Sequence, residues 1–254
     1  MVDCPNQRSC AGGRRTEIKM RTIILTDVHG CLEEMDELLE QVQLQPAEDF
    51  LLFLGDMMDR GPHCFAVFSR FRALKEAMGE RMVMVLGNHD DMMLHAFSDR
   101  TVYARWMRNR GDITLASFGE NGHDVREYYP WFQQMVPYYA AADFICAHAG
   151  LVKENPAENS LHDLIWDRHM AEGAPYHGKL VIYGHTPRSR VVCRDEEGNG
   201  RFLEPELPFT LPETGSIGLD TGCVYGGRLS ALVIDGKTAV IRQVKCKTEK
   251  GYCD

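Results

Sequence analysis

Clusters of aspartate, asparagine and histidine recur along this chain, each directly after a short apolar run. The side chains in these clusters that offer an oxygen or nitrogen atom to a metal ion are Asp27, His29, Asp56, Asn88, His148 and His185. Six such donors, none of them a thiolate, are too many for one closed tetrahedral zinc site and suit a pair of borderline divalent ions. Two neighbouring ions need a bridging ligand, which a carboxylate can supply. Asp56 follows a central apolar run and is the predicted bridge.

The apolar runs that precede these clusters predict the strands that position them. Residues 22–26 (TIILT), 50–55 (FLLFLG) and 81–87 (RMVMVLG) have the composition of buried strands, and residues 32–42 and 65–79 carry apolar residues at helical spacing. Strands that alternate with helices indicate a parallel sheet with crossover connections. Because ligands bind at the carboxyl ends of parallel strands, we expect the clusters to meet at one edge of the fold.

The second half of the chain is richer in strands. It follows a mostly helical, aromatic-rich middle at residues 91–137, and its apolar runs predict strands at 143–147, 179–183, 190–194 and 216–220 and a hairpin with its turn at 235–237. We therefore predict one domain, with two sheets packed together and helices outside. The expected boundaries are a flexible leader at residues 1–19, a single domain at 20–246 and a C-terminal tail at 247–254, with a surface loop at 195–214.

Composition limits the class of protein and its partners. The formal net charge of −9 argues against a protein that coats nucleic acid. No apolar run approaches the length of a membrane-spanning helix, and the N-terminal residues lack the apolar core of a secretory signal. Nine scattered cysteines without a CxxC pair disfavour a structural zinc site and are typical of reduced thiols in a cytoplasmic protein. We expect a cytoplasmic protein without a membrane or nucleic-acid partner.

The motifs DVHG, GDMMDRG, GNHD, HAG and GHTP, in this order, resemble those of the calcineurin-like metallophosphoesterases. The resemblance is to the phosphoprotein phosphatase branch, with the bacterial and bacteriophage lambda Ser/Thr protein phosphatases nearest in size and pattern. It runs from about Met20 to Val244 and includes LIWDR (164–168) and LDTGCVYGGRLSAL (219–232). The resemblance implies a four-layer α-β-β-α sandwich of two mixed sheets with helices outside.

The resemblance also implies a role for each site residue. One divalent ion would be held by Asp27, His29 and Asp56, and the second by Asp56, Asn88, His148 and His185. Manganese is the preferred ion, with iron, zinc, nickel or cobalt as alternatives. Arg60 and Arg168 would bind the phosphoryl oxygens as charged, forked donors. His89 would protonate the leaving oxygen, with Asp59 fixing its orientation.

The implied reaction is direct attack on phosphorus by a hydroxide that bridges the two ions. No covalent phospho-enzyme is needed, so Cys31 and Cys223 are predicted to be packing residues. Asp90 has no predicted role beyond capping the helix that follows it.

Three functions compete at this point. The leading prediction is a phosphatase acting on phosphomonoesters, a Ser/Thr protein phosphatase whose substrate is a phosphoprotein or small phosphate ester. The alternative is a hydrolase of diadenosine tetraphosphate or a similar dinucleotide. Asp59 favours the first, because symmetrically cleaving dinucleotide enzymes typically have Ala at this place, although the asymmetrically cleaving hydrolases also resemble this sequence. The third, an inactive metal-binding scaffold, would lack ligands or His89, and none is missing.

Overall fold

Two six-stranded sheets form the centre of the computed structural model, which describes residues 20–253. The first sheet contains β1 (Thr22–Leu25), β2 (Phe50–Phe53), β3 (Met82–Met84), β9 (Phe209–Thr210), β11 (Arg228–Asp235) and β12 (Thr238–Lys245), in the order β3-β2-β1-β11-β12-β9. Strands β1, β2 and β3 are parallel, and β11 runs antiparallel to β1. The predicted leader, residues 1–19, lies outside the described residues.

The second sheet contains β4 (Tyr139–Ala140), β5 (Ile145–Cys146), β6 (Val181–Tyr183), β7 (Val192–Arg194), β8 (Gly200–Phe202) and β10 (Ser216–Gly218), in the order β4-β5-β6-β10-β7-β8. Strands β5, β6 and β10 are parallel. The prediction of a surface loop at 195–214 is wrong in part, because this segment contains β8 and β9. Both are short edge strands, whose polar and exposed residues conceal them in the sequence while their backbones pair with β7 and β12.

Alternation along the strands explains the layering. On β1, Ile23 and Leu25 pack into a core beneath the helices, whereas Ile24 faces the other sheet. The helices on the first sheet are α1 (Leu32–Gln41) and α2 (Cys64–Met78), and those on the second are α7 (Leu161–Ile165) and α8 (His169–Glu172). Each fully buried aliphatic side chain contributes about 1.5–3 kcal/mol. The predicted α-β-β-α sandwich is confirmed.

The middle of the chain is helical, as predicted, and closes one side of the fold. Its helices are α3 (Asn88–Ala96), α4 (Arg100–Arg108), α5 (Gly111–Glu120) and α6 (Tyr129–Phe132). Trp106 of α4 is fully buried against Gly111, where a Cβ atom would lie 2.4 Å from the indole ring. Close packing of α4 on α5 thereby brings Trp106 and Thr114 to the edge where β2 ends.

The C-terminal residues are packed against the domain as far as residue 253. The backbone N–H of Tyr252 donates to the carbonyl of Val224 at 2.7 Å, and its hydroxyl donates to Glu34 of α1 at 3.0 Å. The predicted tail therefore lies against the loop that follows β10. None of the described helices is long and apolar enough to cross a membrane.

Candidate active site

The five predicted clusters meet in one pocket at the carboxyl ends of β1, β2, β3, β5 and β6. Among the six predicted metal ligands, His148 is fully buried, and the pocket walls are formed by the other five, Asp27, His29, Asp56, Asn88 and His185. His89, Arg60 and Arg168 also line the pocket, while Asp59 lies behind His89. The side chains that the sequence predicted to meet therefore follow strands of both sheets.

Backbone strain is concentrated at this pocket. Nine non-glycine residues of the described chain have positive φ, and six of them belong to the predicted site: Asp27, His29, Asp56, Asp59, Arg60 and His185. Each left-handed residue of this kind costs about 1–3 kcal/mol, and such strain is typical of functional sites. The turns that carry these residues are closely packed against one another. A Cβ atom on Gly184 would lie 2.1 Å from Thr26 Oγ1 and 2.2 Å from Asp27 Oδ2.

Asp56 occupies the position expected of a bridging ligand. Its Oδ2 atom lies 3.4 Å from His29 Nε2 and 3.4 Å from His148 Nε2, so it stands between the two histidines. On the His148 side, Asn88 Oδ1 lies 3.0 Å from His148 Nε2 and 2.9 Å from His185 Nδ1. Two groups of side chains that could hold a metal ion therefore share Asp56, one with His29 and His89 and the other with His148 and His185. Asp27 belongs to neither group, and its Oδ2 accepts a hydrogen bond from the His185 backbone N–H at 3.0 Å.

The protonation of the histidines makes this donor set fit for cations. His29 Nδ1 and His148 Nδ1 each lie 2.7 Å from a backbone carbonyl, of Met58 and Leu54 respectively, so the ring proton is on Nδ1. In the neutral form of each ring, Nε2 then has a lone pair directed toward Asp56, whose oxygens are also acceptors. Electron-pair donors that converge in this way are ligands for divalent ions, which would bind the neutral rings in place of a proton.

The charges at the site agree with this interpretation. Burial alone would lower the pKa of His148, but the carboxylate of Asp56 outweighs it and raises that pKa to about 10. Burial and the positive charge of His148 lower the pKa of His185 to about 3. Without a metal ion, Asp56 therefore favours a second proton on His148, at Nε2, and a bound ion would displace that proton to give the neutral ring.

His89 is held by Asp59 on one side and faces the pocket on the other, and its ring is also close enough to His29 and Asp56 to share a metal ion with them. Its Nδ1 atom lies 2.6 Å from Asp59 Oδ2, and Asp59 also accepts hydrogen bonds from Trp106 Nε1 at 2.8 Å and Thr114 Oγ1 at 2.5 Å. Within residues 20–253, the buried Nε2 atom of His89 has no hydrogen-bond partner. That atom is therefore free to exchange a proton with a molecule in the pocket.

The two arginines bring positive charge to the same pocket. Arg60 Nη1 lies 2.5 Å from His29 Nε2, and the Arg60 guanidinium lies over the Tyr225 ring at 5.4 Å from its centre. Arg168 Nη1 donates to Thr186 Oγ1 at 3.1 Å. Both guanidiniums are positioned to bind phosphoryl oxygens, which they can do with two parallel hydrogen bonds.

Sequence reasoning missed several residues of the pocket wall. Asp220 is buried at the end of β10, where burial and the charge of Asp27 raise its pKa well above the ordinary range. Trp166 and Tyr225 also line the pocket. The sequence did indicate Asp220. It is the last residue of the predicted strand at 216–220, and ligand-binding residues are expected at the carboxyl ends of strands, as at the other five.

Asp90 does more than cap α3. Its carboxylate accepts hydrogen bonds from the backbone N–H groups of Gly87 at 3.1 Å, Asp56 at 2.8 Å and Met57 at 3.4 Å. These hydrogen bonds link the loop after β2 to the start of α3 and fix the backbone of Asp56, the predicted bridging ligand. Burial and the charge of Asp56 raise the pKa of Asp90 to about 7.

We expect Asp90→Ala to lower both stability and metal affinity. The substitution leaves buried N–H groups unpaired, which costs about 1–3 kcal/mol each in free energy of unfolding. Displacement of Asp56 should weaken metal binding by about 10–100-fold, as loss of outer partners of metal ligands does. Urea unfolding and a metal titration would measure the two effects.

Asp91→Ala, at the neighbouring position whose carboxylate pairs with His95, is the control. Equal behaviour of the two variants would contradict this role.

Comparison with known proteins agrees with the geometry. The model of the calcineurin-like phosphoesterase family matches residues 20–211. The chain is 28% identical to a symmetrical bis(5'-nucleosyl)-tetraphosphatase of Methylobacillus flagellatus, with 91% of this chain and 98% of that protein covered. It is 36% identical to an enzyme of the same name from Erwinia tasmaniensis, with 88% and 97% covered.

The fold is also found among solved structures. A protein serine/threonine phosphatase from Saccharomyces cerevisiae superposes with a TM-score of 0.66 over 94% of this chain and 85% of its own, at 12% identity. At that identity the likeness concerns the fold alone. The family model covers most of the chain and includes the strand ends that carry all six predicted metal ligands. This chain therefore belongs to the calcineurin-like phosphoesterase family, as its motifs predicted.

Proposed function

We propose that this protein hydrolyses dinucleoside tetraphosphates, such as diadenosine tetraphosphate, at the central phosphoanhydride to give two nucleoside diphosphates. The observation that carries the proposal is its similarity, over nearly the full length of both chains, to proteins named symmetrical bis(5'-nucleosyl)-tetraphosphatase. The family assignment itself establishes only a metallophosphoesterase. The proposal therefore adopts the sequence-based alternative in place of the leading prediction.

The structure places Asp59 where it cannot select a substrate by contact. Its side chain is buried, does not line the pocket, and is occupied by His89, Trp106 and Thr114. A residue without access to the substrate cannot discriminate between esters by contact. By orienting His89 it would serve the hydrolysis of a phosphoanhydride as well as that of a phosphomonoester. A Ser/Thr protein phosphatase, the leading prediction from the sequence, is the second candidate.

The pocket walls suit a dinucleotide. Tyr225 is 47% exposed beside the Arg60 guanidinium. Trp166 is half-buried in the pocket wall, with the Arg105 guanidinium 5.9 Å from its ring centre. Aromatic faces next to cations bind nucleobases by stacking and polyphosphates by charge. Tyr225 and Trp166 are therefore the proposed platforms for the bases.

Two divalent ions bound by the six donors would activate a water molecule and polarise the phosphoryl oxygens. The remaining steps belong to the protein. Arg60 and Arg168 hold the non-bridging oxygens and neutralise the charge that develops on them. His89 Nε2 donates a proton to the oxygen that leaves phosphorus, while Asp59 stabilises the positive charge of the ring and fixes its orientation. The water oxygen forms the new bond to phosphorus as the bridging bond breaks.

Product analysis tests this proposal. Purified protein supplied with manganese should convert diadenosine tetraphosphate to ADP alone, which chromatography would detect. An analogue with a methylene group between the second and third phosphorus atoms should resist. Removal of metal by a chelator should stop the reaction, and manganese should restore it, because the donor set accepts this ion. Formation of ATP and AMP, or no cleavage by the metal-loaded protein, would contradict the proposal.

A further inference from the structure

A second group of metal-binding side chains lies beside the pocket and takes no part in the reaction above. It consists of Cys31 at the start of α1, Glu34 one turn later, and Cys223 in the loop after β10. One ligand atom from each of the three lies within 4.8 Å of the other two, and all three side chains are buried. We refer to these three residues as the thiol cluster. Cys223 is far from Cys31 and Glu34 in the sequence, so the three residues form no local zinc-binding motif.

Glu34 is the unusual member of the thiol cluster. Its relative exposure is 0%, and its Oε1 accepts hydrogen bonds from the Lys247 backbone N–H at 2.8 Å and the Tyr252 hydroxyl at 3.0 Å. Its other oxygen, Oε2, is buried and has no hydrogen-bond partner within the described part of the chain. The ammonium group of Lys247 pairs with Glu37 instead. A buried carboxylate without a cation carries a desolvation penalty of several kcal/mol.

A cation between the thiols and Glu34 would remove this penalty. Thiolate sulfur and carboxylate oxygen are both zinc ligands, and the donors belong to one small volume that is separate in chemistry from the six oxygen and nitrogen donors of the pocket. In the absence of a cation, the hydrogen bond with the Cys223 thiol and burial raise the pKa of the Cys31 thiol. Binding would release the two thiol protons.

We propose that Cys31, Glu34 and Cys223 bind a thiophilic divalent cation, zinc, in addition to the pair of ions in the pocket. The bound ion joins α1 to the loop that carries Cys223, which itself lines the pocket wall. Through Glu34 it also secures the C-terminal residues that bind this carboxylate. The proposal replaces the prediction that these two cysteines only pack, and it does not depend on which phosphate ester the enzyme cleaves.

Cobalt(II) distinguishes this site from the pocket. Thiolate ligands give cobalt an intense near-ultraviolet charge-transfer band, which the oxygen and nitrogen donors of the pocket cannot produce. Metal-free protein titrated with cobalt should show this band, saturating at one thiolate-bound ion per chain, and added zinc should abolish it because zinc binds such donors more tightly than cobalt. Absence of the band in the wild-type protein under reducing conditions would overturn the proposal, without any variant.

Variants then assign the ligands. Cys31→Ser and Cys223→Ser should each lose the band, and Glu34→Gln should need a higher cobalt concentration to reach it. Cys193→Ser, which alters a buried cysteine of β7 in the other core, is the matched control and should keep the band. Circular dichroism checks that each variant is folded. If a serine variant does not fold, X-ray absorption of the zinc-loaded wild-type protein decides instead. Sulfur neighbours at about 2.3 Å from zinc are expected, and a shell of oxygen and nitrogen alone would overturn the proposal.

Discussion

Asp56→Asn is expected to lower kcat/KM for the dinucleotide by well over 100-fold and to abolish binding of the pair of ions. Removal of partners that merely orient metal ligands already costs about 10–100-fold. Asp56 is closer to the chemistry, since its Oδ2 lies 3.4 Å from a histidine nitrogen on each side. The amide has no charge, and its NH₂ group would be directed at atoms that offer only lone pairs. Isothermal titration with manganese and steady-state kinetics would measure both losses.

The control is a carboxylate buried elsewhere. Asp49 pairs with Arg21 at 2.6 Å, outside the pocket. Asp49→Asn should lower stability and leave metal binding unchanged. A variant of Asp56 that kept full activity, or that still bound two ions with wild-type affinity, would remove the basis for the bridging role.

His89→Ala is expected to lower kcat/KM by about 10²–10⁴-fold for a substrate with a poor leaving group, the usual contribution of a general acid. The loss should depend on the leaving oxygen. A serine alkoxide is a strong base that must be protonated as it leaves. A nucleoside diphosphate leaves as a phosphate anion whose charge is delocalised, so it depends less on a proton donor. The variant should therefore lose more activity on a phosphoserine peptide than on diadenosine tetraphosphate, if both are cleaved. Kinetics with aryl phosphates of graded acidity would show the same trend as a steeper dependence on leaving-group pKa.

Asp59→Asn separates orientation from proton transfer. The proton of His89 remains, but the charge that Asp59 provides 2.6 Å from Nδ1 is lost. We expect a smaller loss than in His89→Ala and a change in the pH profile of kcat. If His89→Ala showed equal losses for all leaving groups, His89 would act on binding or metal geometry and not as a proton donor.

The sequence predicted which side chains lie together at the pocket better than it predicted the details of the fold around them. Asp27, Asp56 and Asn88 were identified because polar residues directly after buried strands must lie at one edge of a parallel sheet. Sequence pattern does not show which rotamer or backbone region a residue adopts, so the left-handed φ of Asp56 and the three backbone contacts of Asp90 appear only in three dimensions. Strands β8 and β9 were missed because edge strands need no apolar alternation.

The sequence motifs also did not decide between the possible substrates. The inference from Asp59 rested on the residue type that groups of relatives have at this place, whereas the side chain lies behind His89 and does not line the pocket. The pocket wall that contacts a substrate includes Trp166 and Tyr225, which no local motif assigned. Specificity arises from such surfaces, whose geometry depends on distant parts of the chain.

A direct comparison of rates tests the proposed function most sharply. The measurement is kcat/KM of the manganese-loaded protein for diadenosine tetraphosphate and for a phosphoserine peptide, under identical conditions. We predict a value for the dinucleotide that is at least about tenfold higher, equivalent to about 1.4 kcal/mol of additional transition-state stabilisation. An equal or higher value for the phosphopeptide would contradict the proposal and favour a protein phosphatase.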